Sequence, residues 1–265
     1  MTPVETPLPA HRAAGRGPAI LLLHAFPFSK EMWTAQLDDL ARDHLVVAPD
    51  FPGFGGTPPL LENETTVARY AESAESVASS IAPGADWVVA GLSMGGYVAF
   101  EVIRRARLRL RGLVLADTRA EADTPAVRAS RVALASQVKT RGAAAVVEAQ
   151  IDKMITAQCP PDVRRRVEGW MGSAGREGLL GAIHALLERP DSTPTLSRID
   201  VPTLAIGGEE DPITPTADME RMTAAIRGAR LARVPSTAHL SNVESPARFL
   251  AELRVFLASF ERPTS

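Results

Sequence analysis

Six short apolar runs alternating with longer segments of helical periodicity constrain this chain more than any other feature. The runs cover 20–23, 45–48, 87–90, 113–116, 203–206 and, more weakly, 229–234, and are rich in Val, Ile and Leu. Each is long enough for a buried strand and too short for a helix. Between or after them, segments 32–41, 66–81, 95–105, 217–226 and 246–260 place apolar residues at helical spacing, several opening on Pro, Ser or Thr. This alternation predicts an α/β fold, a mostly parallel central sheet with helices on both faces.

The rhythm breaks once. From about 122 to 190 the chain offers only helical patterns, at 127–138, 143–155, 161–171 and 177–187. A strand-free insertion of this length between two sheet strands is usually functional, and the segment reads as a helical cap. The expected organisation is therefore a first core part over 1–120, a cap over 121–195 and a second core part over 196–265. No internal repeat, heptad seam or low-complexity tract interrupts it, and the ends, 1–9 and 262–265, read as loosely held.

Composition narrows the partners. With 265 residues, 45% hydrophobic and 23% charged, the chain can build a large core of its own. A formal net charge of -2 leaves no global positive excess for phosphates or anionic lipid, so nucleic acid and membrane surfaces are poor partners. The one cysteine, Cys159, cannot form an internal disulfide, and no Cys/His grouping has zinc-ligand spacing. No run approaches the ~20 apolar residues of a membrane span, and the first apolar run lacks a secretory cleavage site. A cytoplasmic protein with no metal and no cofactor is expected, and a homo-oligomer is left open.

Chemistry enters at Gly91-Leu92-Ser93-Met94-Gly95. This G-x-S-x-G stands where a strand pattern ends and a helical one begins, the setting in which a sharp turn strains a serine and exposes its hydroxyl. A serine hydroxyl needs a general base, itself oriented by a third group. His239 lies after the last strand pattern and before the terminal helix, and is the expected base. His24 ends the first strand run and reads as a structural partner for the loop after it. His11 and His44 read as surface residues, and His184 sits within a cap helix.

The expected acid is Asp211, in the loop directly after 203–206, with Asp117 as its rival because it too ends a strand run. A buried carboxylate in either place could hold the imidazole in one tautomer and stabilise the imidazolium.

The order Ser93, Asp211, His239 resembles that of the alpha/beta-hydrolase superfamily, and the resemblance runs nearly the length of the chain. His24-Ala25-Phe26-Pro27 resembles the family's oxyanion loop and 50–57 its Gly-rich loop, while 207–215 and 237–240 resemble its acid and base loops. The resemblance implies an alpha/beta-hydrolase fold and an oxyanion hole built from the backbone N–H groups of Phe26 and Met94. Ala25 stands where the family usually has Gly, a change that could re-aim the loop presenting Phe26. The elbow and 113–125 are similar to those of small microbial carboxylesterases and 3-oxoadipate enol-lactone hydrolases.

The resemblance implies hydrolysis of a carboxylic ester of a small substrate through an acyl-enzyme. Two alternatives stand beside it, a lactonase of the 3-oxoadipate enol-lactone type and a hydrolase-like ligand-binding protein with little turnover. Arg164, Arg165, Arg166, Arg176 and Arg189 could clamp an anionic substrate. The Ala, Val, Leu and Met faces of the cap favour an apolar pocket and short neutral esters instead.

Overall fold

The computed structural model describes residues 7–260. Seven strands run in chain order as β1 (His11–Ala14), β2 (Ala19–Leu23), β3 (Leu45–Pro49), β4 (Asp86–Leu92), β5 (Arg109–Ala116), β6 (Thr203–Gly208) and β7 (Arg230–Val234). They form one sheet in the order β1-β3-β2-β4-β5-β6-β7, in which only β1 pairs antiparallel. The six strands read from the sequence are all present. β1 was not anticipated, because His11-Arg12-Ala13-Ala14 carries no β-branched or aromatic residue and reads as polar edge. His11 is accordingly half-buried in a strand rather than on an open surface. The loose ends expected from the sequence fall for the most part on residues outside the described range.

Helices follow the strands. The core carries α1 (Thr34–Leu40), α2 (Val67–Ile81) and α3 (Met94–Arg105). Between β5 and β6 come α4 (Pro125–Arg141), α5 (Ala143–Met154), α6 (Pro161–Gly172), α7 (Arg176–Glu188) and the short α8 (Thr193–Leu196). The described residues finish with α9 (Thr216–Ala225), α10 (Ser241–Glu244) and α11 (Pro246–Ala258). The starts are chemically legible. The side chains of Thr66 and Thr124 cap α2 and α4 by accepting from the N–H of Arg69 and Val127, and Pro125 and Pro246 occupy first-turn positions where no N–H is needed.

β2 is buried along its whole length, as a central strand covered on both faces must be. The C-terminal ends of the parallel strands are stitched together beyond the ladder, with Ser93 N–H donating to Ala116 O at 2.9 Å and Asp117 N–H to Ile206 O at 2.9 Å. Residues immediately after β4, β5 and β6 are thereby fixed along one edge, where open α/β sheets bind their ligands.

The Gly-rich loop after β3 closes around the buried carboxylate of Asp50, which receives the N–H groups of Lys30 and Gly56 and the Lys30 ammonium at 2.6 Å. Gly53 sits against Gly178 at the start of α7, where a Cβ would lie 2.5 Å from the Gly178 Cα, so the loop docks the helical insertion onto the core. His44, read as a surface residue, is buried beside Asp43, to which its ring is hydrogen-bonded at 2.9 Å.

Candidate active site

The elbow has the backbone that its sequence requires. Ser93 adopts φ 53 and ψ -111, a sparsely populated conformation for a residue with a side chain. The neighbouring glycines are needed for space. A Cβ on Gly91 would lie 2.2 Å from Gly95 O, and one on Gly95 would lie 2.1 Å from Leu23 O. Strand β4, helix α3 and the end of β2 therefore meet backbone to backbone, and Thr118 Oγ1 ties the turn down by donating to Ser93 O at 2.9 Å.

The structure brings Ser93, His239 and Asp211 into one hydrogen-bonded row. Ser93 Oγ donates to His239 Nε2 at 2.8 Å, and His239 Nδ1–H donates to Asp211 Oδ2 at 2.7 Å. Asp211 is held from its other side by the N–H groups of Ile213 and Thr214, at 2.7 and 3.0 Å, and by the Thr214 hydroxyl at 2.5 Å. Thr214 was not singled out in the sequence, although it lies in the acid loop. Its amide and hydroxyl both donate to the carboxylate, and the hydroxyl oxygen also lies 3.3 Å from His239 Nδ1.

The two titrating partners move in opposite directions. Burial by itself would lower the His239 pKa, but the charge of Asp211 and the hydrogen bond to it outweigh that effect and raise it. Burial would raise the Asp211 pKa, but His239 and the Thr214 donors pull it below the usual carboxylate range. The two shifts together favour a charged imidazole beside a charged carboxylate.

Asp117, the rival acid, is fully buried at the end of β5 but does not meet the imidazole. Its oxygens accept from Gly208 N–H at 2.8 Å and Ser241 Oγ at 2.5 Å. Burial, reinforced by the charge of Asp211, pushes its pKa up to about 8. His24 is structural, as its position suggested. Its Nδ1–H donates to Ala25 O and its Nε2 accepts from Phe51 N–H, both at 2.9 Å, while burial carries its pKa down to about 4. The ring is thus a fixed neutral clasp across the loop that presents Phe26.

Ala25 is accommodated without exposure, its N–H pointing to Met32 Sδ at 3.2 Å and its carbonyl accepting from Phe28 N–H at 2.9 Å. Met94 opens α3, so its N–H has no intrahelical acceptor. Phe26 and Met94 line the same cavity as Ser93 and His239.

That cavity has a volume of about 330 Å3. Tyr97 and the acid-loop residues Pro212 and Ile213 form part of its wall, and α4, α5 and α7 supply much of the rest. None of Arg164, Arg165, Arg166, Arg176 or Arg189 lines it. Arg164 pairs with Asp152 and Glu168, and Arg166 lies over the Trp170 ring. The cations at the cavity are instead Arg119, Arg131 and Lys153. Among the described residues no group of three or more His, Cys, Asp or Glu side chains could hold a metal ion, and no helix is long and apolar enough to cross a membrane.

A serine hydroxyl aimed at an imidazole, with that imidazole aimed at a buried carboxylate, can attack an electrophile while passing its proton to the ring. Proteins of known structure and sequence share the surrounding architecture. A thermophilic esterase from Thermogutta terrifontis superposes with a TM-score of 0.90 at 33% identity, over 94% of this chain and 93% of its own. The pyrrolizixenacetamide deacetylase of Xenorhabdus hominickii is 27% identical over 264 residues, 94% of each chain. The 3-oxoadipate enol-lactonase 2 of Acinetobacter baylyi is 24% identical over 241 residues, 88% of this chain and 85% of its own. The profile of the alpha/beta hydrolase family matches residues 20–253, and with the elbow, sheet order and edge loops described above the chain belongs to that family.

Proposed function

We propose that the protein is a serine hydrolase that cleaves a carboxylic ester of a small substrate through an acyl-enzyme. Ser93 is the nucleophile, His239 the general base and then acid, and Asp211 the carboxylate that fixes the ring and stabilises its charged form. The backbone N–H groups of Phe26 and Met94 form the oxyanion hole, where each donor would contribute about 3 kcal/mol to a transition state whose charge is absent from the bound ester. The observation that carries the reading is the row from Ser93 Oγ to His239 to Asp211, with contacts of 2.8 and 2.7 Å, opening onto a cavity that Phe26 and Met94 also line.

In this reading attack on the ester carbonyl transfers the serine proton to His239, which returns it to the leaving alcohol. Water, deprotonated by the same ring, then releases the acid. Residues 121–195 act as a cap that selects the substrate, since α4, α5 and α7 contribute to the cavity wall. Lactone opening uses the same steps with the leaving alcohol still tethered. Likeness to the 3-oxoadipate enol-lactonase 2 of Acinetobacter baylyi keeps it as the second reading.

The test is turnover of a para-nitrophenyl ester with mass spectrometry of the quenched protein. Expected are multiple turnovers, a Ser93-linked acyl adduct and loss of both in Ser93→Ala. Turnover retained in Ser93→Ala would remove Ser93 from the mechanism, and binding without turnover would favour a ligand-binding protein.

A further inference from the structure

The cap wall of the cavity mixes polar and apolar side chains. On α4, Val127, Ser130, Arg131 and Leu134 face the cavity at i, i+3, i+4 and i+7, and on α5 Gln150, Lys153 and Met154 do so at i, i+3 and i+4. Each helix thus turns one mixed stripe inward, apolar in part and cationic in part.

The cations are cancelled unevenly. Arg131 engages Asp123 through Nε at 2.5 Å, and the same carboxylate takes Arg189 Nη2 at 2.8 Å, so two guanidinium groups share one acid. Arg189 is fixed in turn against the Tyr97 ring, 4.0 Å from its centroid. Arg119 is balanced by Asp218 at 3.1 Å. Lys153 has no carboxylate within 4.0 Å among the described residues, and its neighbour Asp152 pairs with Arg164 at 2.7 Å.

One positive charge in excess at the Asp123 cluster and another at Lys153 thus border a cavity whose walls concentrate the field.

The backbone next to Lys153, whose own side chain is exposed, is held in register with the reacting groups. The carbonyl of Met154, one residue on, accepts from Leu240 N–H at 2.9 Å, directly after His239. Glu244 braces the same junction, accepting from Thr156 N–H at 2.8 Å and from Ala238 N–H at 2.6 Å. The last turn of α5 and the loop carrying the base therefore form one connected unit.

We infer that the cavity takes a substrate with a carboxylate remote from the scissile ester, received by Lys153 and the free edge of Arg131. This rests on the ester-hydrolase reading and gives its substrate class. It departs from the neutral-ester expectation drawn from the cap's apolar residues.

The test compares two para-nitrophenyl esters of equal chain length, the hexanoate and the monoester of adipic acid, in the wild-type protein and in Lys153→Gln and Lys153→Arg. Expected is a higher kcat/KM for the anionic ester at low salt. Its advantage should shrink toward 1 M salt, where screening acts within about 3 Å. The anionic-to-neutral ratio should fall about tenfold in Lys153→Gln, the scale of one charge-assisted contact, and recover in Lys153→Arg.

A ratio unchanged by Lys153→Gln, or an advantage indifferent to salt, overturns the carboxylate subsite and leaves the hydrolase reading intact. If neither ester turns over, the hydrolase reading falls and calorimetry decides the subsite alone. Adipate binding that Lys153→Gln weakens, with adipamide not bound, upholds it, and no adipate binding overturns it.

Discussion

Asp117 and Asp211 occupy adjacent strand ends of one sheet edge, and only Asp211 reaches the imidazole, its Oδ2 lying 2.7 Å from His239 Nδ1. Both carboxyls are buried, but their partners differ. Asp117 is satisfied by Ser241 and Gly208 and is held protonated near neutral pH, whereas Asp211 is kept ionised by His239 and the Thr214 hydroxyl and amide.

The two acids should therefore respond differently to the same substitution. Asp211→Asn removes the charge that stabilises the imidazolium and reverses the preferred tautomer, and is expected to lower kcat by up to about four orders of magnitude. Asp117→Asn replaces a neutral acid with a neutral amide of similar shape, and Asn tolerates the positive φ of 40 found there. Its kcat is expected within about tenfold of the parent, a change of about 1.4 kcal/mol. Steady-state kinetics on one ester, with circular dichroism to confirm folding, checks the ranking. The reverse order would transfer the role to Asp117.

The pH dependence follows from the base. In the proposed reaction only neutral His239 can accept the serine proton, and its pKa is raised by Asp211, so kcat/KM should fall as pH drops, with a midpoint above the ordinary value of 6.5. The carboxylate partner sets that midpoint, so Asp211→Asn should move it downward. A profile of kcat/KM against pH, taken where the enzyme stays folded, reads both. A midpoint below 6.5 in the parent would contradict the ion-pair geometry.

Much of this was legible because period and punctuation carry it. Six of the seven described strands coincide with apolar runs, and Ser93, Asp211 and His239 follow the ends of three of them, which the parallel sheet brings to one edge. Other features were not legible, for physical reasons. β1 is an edge strand paired antiparallel with β3, and its residues carry no β-branched or aromatic side chain that would mark a strand. The cavity-facing stripes of α4 and α5 mix Arg131, Gln150 and Lys153 with apolar residues, and helical periodicity assigns such polar positions to solvent. Which side of a cap helix faces a cavity depends on docking contacts such as Gly53 against Gly178, far apart in sequence.

The close approach at the elbow predicts a sharp contrast among glycines. Gly91→Ala and Gly95→Ala force a Cβ to within 2.2 and 2.1 Å of backbone oxygens that no side-chain rotation can move. Each is expected to cost about 1–3 kcal/mol or more and to displace Ser93. Their effects should not add, because the first clash is with Gly95 itself. Gly169→Ala, in the exposed interior of α6 with no atom within 4 Å, is expected to stabilise by up to about 1 kcal/mol. Urea unfolding of the three variants tests the contrast, and tolerance of Ala at position 95 would be incompatible with this elbow.

Asp117 also predicts a pH-dependent stability. Its ordinary pKa of 3.8 is carried to about 8 in the folded protein, first by burial and then by the charge of Asp211. Between those values the unfolded chain has released the proton while the folded chain retains it. The unfolded state binds fewer protons in that window, so this group makes stability fall as pH rises from 3.8 to about 8 and adds no further slope above it. Asn at position 117 has no proton to release and still offers an acceptor and a donor to Gly208 and Ser241. The stability of Asp117→Asn relative to the parent should therefore increase from acidic to mildly alkaline pH and then level off, other titrating groups being shared by the two proteins. Urea unfolding of both at about pH 5 and about pH 8 gives the difference directly. A difference that does not change with pH would mean that Asp117 is already ionised in the fold, and the Ser241 and Gly208 donors would then be stabilising a second buried carboxylate beside Asp211.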